Sequence, residues 1–280
     1  MICKQTEIKA NREAIMMSKT MRLRTITAAM VAMTVGFIFL FAQKTPAQGT
    51  DLLVVVSDGM KPSVEELVPQ IEHSIGRKLT TQFNSSKVLK EKIQSGEAFD
   101  AAILTSDVID DLIKQGKIAA ATRTDIARTG MGVGVRTGAT KPDVSTPEAL
   151  KRTLLSAKSI TFNPSGASAP HVYDIFQRLG IAENVKSKLI LKENAEPGRP
   201  QMDVADGKAD LVITLIPEIK FFKGVELAGP VPADLQSYIR FAGGVATNTH
   251  NADAAKALIT FISSPAAAPT LKAKGEELPR

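Results

Sequence analysis

A chain of 280 residues, 44% hydrophobic and 23% charged, can bury one large core or two modest ones and is too apolar for wholesale disorder. Its formal charge of +6 points at first to a nucleic acid or membrane surface, but the distribution of charge excludes both. Residues 1–47 hold seven basic side chains (Lys4, Lys9, Arg12, Lys19, Arg22, Arg24, Lys44) and two acidic ones (Glu7, Glu13); taking these from the totals of 35 and 29 leaves a nearly neutral 28 and 27.

That basic segment has the form of an export signal. Arg22 and Arg24 precede an apolar run from Ile26 to Ala42, and Thr45-Pro46-Ala47 supplies small residues for cleavage after Ala47. Met21 is an alternative start, since residues 1–20 make a long leader. The rival is an uncleaved anchor helix, for which a 17-residue run interrupted by Thr34 is short. The only cysteine, Cys3, lies upstream of the run, so the mature chain has neither a lipidation site nor a disulfide. A free, exported, unlipidated protein suits a periplasm.

From residue 50 onward short apolar runs alternate with amphipathic stretches, the pattern of α/β architecture. Leu52–Val56 reads as a buried strand ending at Ser57-Asp58-Gly59. A helix is predicted from Ser63, with Ser63 and Glu66 at capping-box spacing and a kink at Pro69. Leu79–Phe83 is a strand, Asn84-Ser85-Ser86 opens a helix that Gly96 ends, Ala101–Leu104 is a strand, and Ser106–Gln115 is a helix stopped by Gly116. Gly132–Arg136, Ser159–Phe162, Lys188–Leu191, Leu211–Leu215 and Ile239–Ala246 read as further strands. Helices are predicted from Thr146-Pro147-Glu148, over Ala169–Leu179, around Gln201–Asp206, and near Ala252–Ile262 and Pro265–Lys274. One passage echoes another: Ser95-Gly96-Glu97-Ala98-Phe99-Asp100 and Asp206-Gly207-Lys208-Ala209-Asp210 each close a helix and run into a strand.

Enzyme signatures are missing. His73, His171 and His250 are widely spaced, and there is no phosphate loop, no Cys-x-x-Cys and no G-x-S-x-G elbow. A hydrolase using Ser57 or Ser165 lacks a histidine base beside either. Tryptophan is absent, and tyrosine is limited to Tyr173 and Tyr238, so aromatic platforms for sugars or bases are not expected. What recurs is small polar residues at strand-to-helix junctions: Ser57-Asp58-Gly59, Asn84-Ser85-Ser86 and Ser165-Gly166-Ala167-Ser168. Free amides and the positive end of the helix dipole gather there, so such junctions either cap their helices or hold an anion with neutral donors.

The motifs Ser57-Asp58-Gly59-Met60, Phe83-Asn84-Ser85-Ser86, Ile93-Gln94-Ser95-Gly96, Asp100–Ser106, Asn163-Pro164, Arg178-Leu179-Gly180, Gly207-Lys208-Ala209-Asp210 and Phe261-Ile262-Ser263-Ser264-Pro265-Ala266 occur in an order that resembles the periplasmic molybdate-binding protein family of ABC transporters. The resemblance runs from about Leu52 to the C-terminus. It implies a two-lobed type II periplasmic-binding-protein fold of the α/β class, with hinge strands crossing between the lobes. Lobe I would comprise 50–131 and the C-terminal helices 244–280, lobe II 132–243, with Gly130–Arg136 and Ile239–Ala246 crossing.

The resemblance further implies an oxyanion held by serine hydroxyls and backbone amides from both lobes, without metal, cofactor or catalytic group, and a monomer that delivers its anionic ligand to a permease. By position, Ser86 matches the family's second-loop serine, and Ser168 lies where the family offers amides. Two departures stand out. Gly59 replaces the usual first-loop serine, leaving its N–H and neighbouring Ser57, and Leu215 replaces a ligand-bonding tyrosine. Arg199 is placed to supply a charge. Ser57, Asp58, Gly59, Ser85, Ser86, Ser168, Arg199 and Leu215 are thus the candidate ligand residues. Losing two hydrogen bonds to a charged ligand weakens binding by roughly two to four orders of magnitude, which leaves open molybdate or another anion such as a small carboxylate. A sensor role without a permease also remains open.

Overall fold

The computed structural model describes residues 51–193 and 196–279; the export signal expected in residues 1–47 lies outside the described residues. β1 (Leu52–Ser57) is rich in β-branched residues and lies in parallel between β2 (Leu79–Asn84) and β3 (Ala101–Thr105). Its side chains alternate between two packing layers. Leu52, Val54 and Val56 meet Val64, Leu67 and Ile71 of α1 (Lys61–Ile75), while Val55 joins Leu89 and Ile93 of α2 (Ser86–Gln94) and Ile109 and Leu112 of α3 (Ser106–Lys114). Helices on both faces explain why β1 and β3 are largely apolar, whereas β2, at the sheet edge, is polar and only partly buried.

β4 (Thr124–Arg136) is the strand that both halves of the sheet share. Its first half, Thr124–Gly130, pairs antiparallel with β8 (Tyr238–Val245), which on its other side pairs with β3. Its second half pairs with β6 (Leu211–Leu215) and β7 (Val225–Pro230), and β6 is flanked in parallel by the two-residue β5 (Ile160–Thr161). The strand order is β2-β1-β3-β8-β4-β6-β5, with β7 on β4. The strand expected over Gly132–Arg136 therefore starts eight residues earlier. β8 spends its length between β3 and β4. The remaining helices are α4 (Pro147–Ser156), α5 (Ala169–Arg178), α6 (Ala182–Lys186), α7 (Arg199–Ala205), α8 (Ile216–Lys220), α9 (Ala252–Ile262) and α10 (Ala268–Lys274). Among the described residues no helix is long and apolar enough to cross a membrane.

The internal echo is structural. Gly96 and Gly207 both adopt positive φ, which a glycine takes without Cβ strain, and each follows a helix end. Asp100 then accepts the Leu53 N–H (2.8 Å) at the start of the β1–β3 pair, and Asp210 accepts the Lys158 N–H (2.7 Å) beside the β5–β6 pair.

Two expectations fail for physical reasons. Lys188–Leu191 is no strand: only Leu189 forms a bridge, to Ile160. Ser63 does not cap a helix, because α1 starts at Lys61 with Pro62 in its first turn. Ser63 is instead buried and donates its hydroxyl to Glu276 (2.5 Å), whose other oxygen has no partner among the described residues. Burial pushes the Glu276 carboxyl up to about 8, opposed by the Ser63 hydrogen bond and the Lys274 charge. The folded protein thus holds a proton that the unfolded chain releases near pH 4.5, and stability falls as pH rises from there towards 8. Glu276→Gln is expected to raise stability at pH 8 by about 2 kcal/mol, roughly 5 °C in melting temperature, and to change little near pH 4.5. Equal shifts at both pH values in thermal melts would show that the proton is not held there.

Candidate functional site

Each half of the sheet contributes to one cavity of about 610 Å³. From the first half come Ser57 at the end of β1, Asp58 in the 3-10 turn Asp58–Met60, Lys61, Glu65 and Glu66 of α1, and Ser85 and Ser86 at the start of α2. Ser85 caps α2, accepting the Val88 N–H at 3.4 Å. Ser86 is buried, and its hydroxyl oxygen accepts the Thr105 N–H at 3.0 Å. With that lone pair engaged, the Ser86 hydroxyl proton is free to donate into the cavity.

The second half supplies Asn163, Gly166, Ala167 and Ser168 before α5, Gly198, Pro200 and Gln201 around the start of α7, and Thr214, Leu215 and Glu218 at the junction of β6 and α8. Asn163 accepts the Ser165 N–H at 3.0 Å and shapes the loop. Ser168, 3% exposed, makes no side-chain cap, so its hydroxyl is not spent on its own helix.

Sequence reasoning missed the acid opposite Asp58. Glu218 receives the Thr214 hydroxyl and, at 3.5 Å, the Gln201 amide, both on Oε2. Burial pushes its carboxyl up to about 7; Thr214 opposes that rise, the Asp58 charge adds to it, and Gln201 opposes it. Burial likewise pushes Asp58 up to about 6 against the Lys61 charge, and Asp58 Oδ1 is buried without a partner among the described residues. The cations lining the cavity are already engaged. Lys61 lies 3.8 Å from Glu65, and Lys274 pairs with Glu66 and stands 4.1 Å over the Phe221 ring.

Of the eight candidate residues, Ser57, Asp58, Ser85, Ser86, Ser168 and Leu215 line this cavity. Gly59 is buried behind it: a methyl group there would lie 2.6 Å from Leu215 Cδ1 and 2.7 Å from Phe241 Cζ. The two departures from the resembled family are therefore one packing pair. Leu215 fills the space that a first-loop side chain would take. Arg199 is not among the lining residues. Its Nε binds Asp203 (3.1 Å) and its Nη1 binds Glu196 (3.2 Å), because the nearly fully buried Asp203 needs a counter-charge, which Lys192 shares at 3.4 Å.

A second cavity of about 810 Å³ adjoins the first through Ser86, Gly166 and Ala167. It is lined by Lys87, His171 and Arg240 as well as Asp107, and by Ser106, whose hydroxyl is buried without a partner among the described residues.

A mixed sheet whose two halves meet at one shared strand, with ligand-facing loops from both, is the type II periplasmic-binding-protein fold. The periplasmic molybdate-binding protein of Azotobacter vinelandii shares it, with a TM-score of 0.70 at 18% identity over 82% of this chain and 100% of that one. The chain belongs to the bacterial extracellular solute-binding protein family, whose model matches residues 52–277. It is a substrate-binding protein of the ABC-transporter type, exported as that family is. In sequence it is 27% identical to a molybdate-binding protein of Azotobacter vinelandii over 235 residues (82% of this chain, 90% of that one). It is 26% identical to an aconitate isomerase of a Pseudomonas species over 231 residues (81% and 87%).

The Gly59 packing is testable. Gly59→Ala is expected to cost about 1–3 kcal/mol by overpacking. Combined with Leu215→Ala it should be non-additive by at least about 0.5 kcal/mol, since the truncation removes one of the two close contacts of the new methyl and leaves that with Phe241. Strict additivity in urea unfolding would separate the two residues.

Proposed function

We propose that the protein captures a small organic acid carrying more than one carboxylate and presents it to an ABC permease. The observation that carries this is the convergence of Ser86 and Ser168, from opposite halves of the sheet, on one cavity with Ser57. Neutral hydroxyls and the amides at the starts of α2 and α5 hold anions without a dedicated cation. A single tetrahedral oxyanion favours a smaller and less acidic cage. The cavity has the size of an organic-ligand site, and Asp58 and Glu218 repel a compact dianion unless protonated. Lys87, His171 and Arg240 in the adjoining cavity suit the remote carboxylates of a longer ligand.

The proposal includes two lobes, 50–131 with 244–280 and 132–243, closing about β4 as the ligand bridges them. It also includes cleavage after Ala47 and a monomeric periplasmic form. Lys61, Glu65, Glu66 and Lys274 also face the acids from α1 and α10, and their mutual pairs leave Asp58 and Glu218 as the groups that must adjust.

Citrate, tricarballylate or trans-aconitate at about 100 times its dissociation constant should stabilise the protein by about 2.7 kcal/mol, whereas molybdate and sulfate should give smaller shifts. Ser86→Ala should weaken binding about 10- to 100-fold. Because an anion favours the protonated pair, binding takes up a proton, and affinity should fall up to about tenfold per pH unit above 7. Calorimetry in two buffers of different ionisation enthalpy measures that uptake. Molybdate winning the panel with no proton uptake would defeat the organic-acid assignment.

A further inference from the structure

Asp58 and Glu218 are two carboxyls in one cavity, and neither serves the fold in an obvious way. Asp58 Oδ1 is buried with no hydrogen-bond partner among the described residues, so a lone pair stands ready to accept a proton. Glu218 takes both its hydrogen bonds, from Thr214 and Gln201, on Oε2, which leaves Oε1 to carry a proton. Both line the same cavity: Asp58 precedes Gly59, Glu218 lies three residues beyond Leu215, and Gly59 packs on Leu215. Their charges act on one another, and burial places both carboxyls near neutrality, where a pair shares one proton. Capture of an anion alone does not call for two acids in its binding cavity.

Resting on the proposal that a small organic acid occupies the cleft, we infer that Asp58 and Glu218 form a proton-transfer pair that shifts the double bond of an unsaturated polycarboxylate by one carbon. The Asp58 carboxylate takes a proton from a carbon lying between a carboxylate and a C=C bond. The C–H electron pair becomes the new C=C bond, and the former π pair takes the proton that the Glu218 carboxylic acid delivers at the far carbon. Substrate and product have the same composition and charge. Asp58 ends protonated and Glu218 ionised, and passage of one proton between them restores the starting state, with no oxidant, metal or co-reactant required. Negative charge that builds on the substrate carboxylate during the transfer meets the hydroxyls of Ser57, Ser86 and Ser168.

The test uses trans-aconitate, an unsaturated tricarboxylate with such an acidic carbon, and tricarballylate, its saturated counterpart. The purified protein in D₂O, followed by proton NMR, should exchange carbon-bound hydrogen of trans-aconitate for deuterium and generate a second isomer, at least about 100-fold faster than the blank. Asp58→Asn and Glu218→Gln should each lower exchange at least about 100-fold, while tricarballylate still raises the melting temperature of both variants. The rate should peak between pH about 6 and about 7, where one carboxyl is ionised and the other is not. A tricarballylate shift without exchange from trans-aconitate overturns this inference and leaves capture of an organic acid standing. Undiminished exchange in both variants removes Asp58 and Glu218 from the chemistry. No thermal shift across the whole panel of acids overturns the binding proposal, and with it this one.

Discussion

The turn after β1 and the end of β6 meet in van der Waals contact because residue 59 carries no side chain. Leu215 Cδ1 and Phe241 Cζ occupy the space that any Cβ would need. That contact ties the strand end of one half of the sheet to the strand end of the other, beside the shared strand β4. It also decides the electrostatics. Asp58 precedes Gly59 and Glu218 follows Leu215 by three residues, so a steric fit places two carboxyls in a single cavity. Packed protein around them removes water and raises the proton affinity of both, and the Asp58 charge raises that of Glu218 further.

The rest of the cavity offsets the burial of that pair only in part: the Lys61 charge acts on Asp58, and Thr214 and Gln201 act on Glu218. The nearby cations are occupied, Lys61 by Glu65 and Lys274 by Glu66, and Arg199 with Lys192 neutralises Asp203 behind the wall. Ser57, Ser86 and Ser168 line the interior together with proline, leucine and phenylalanine side chains. Ser86 is the clearest case of a donor: the Thr105 amide occupies one lone pair of its oxygen, and its O–H is left to donate. An anion entering this space finds neutral donors in one region and, beyond Ser86, Gly166 and Ala167, the cationic side chains of the adjoining cavity. Such a division favours a ligand with separated charges over a compact one.

Local chemistry made the scaffold legible. β-branched runs located β1 and β6, positive-φ glycines closed the helices where the sequence placed them, and the serine-rich strand-to-helix junctions are the segments that line the cavity. What escaped sequence reasoning depends on distance along the chain. Ser63 has capping spacing, yet its partner is Glu276, 213 residues away. β7 lacks a β-branched run and ends in Gly229-Pro230, so nothing local marks it as a strand. Arg199 reads as a ligand only while it stands outside a helix. Once α7 begins at that residue, Asp203 lies at i,i+4, and the buried acid claims the guanidinium. Glu218 sits in a five-residue helix with no motif of its own, and only the Gly59–Leu215 contact gives it meaning.

On the proposed reading, closure of the cleft would serve both capture and the carboxyl pair through one physical change. A cleft that closes on an anion expels water, which strengthens hydrogen bonds from Ser57, Ser86 and Ser168 and raises the proton affinity of Asp58 and Glu218 together. With a negative ligand beside them, the pair holds its shared proton more tightly, so the bound state is also the state in which one acid and one base face the guest. A site built solely to bind would gain affinity by replacing either carboxyl with a neutral amide, since the repulsion would vanish and the hydrogen bonds from Thr214 and Gln201 need only an acceptor oxygen. Retaining two titrating groups where an amide would hold the ligand better is the feature that capture alone leaves without a cause, and a proton that must move supplies one.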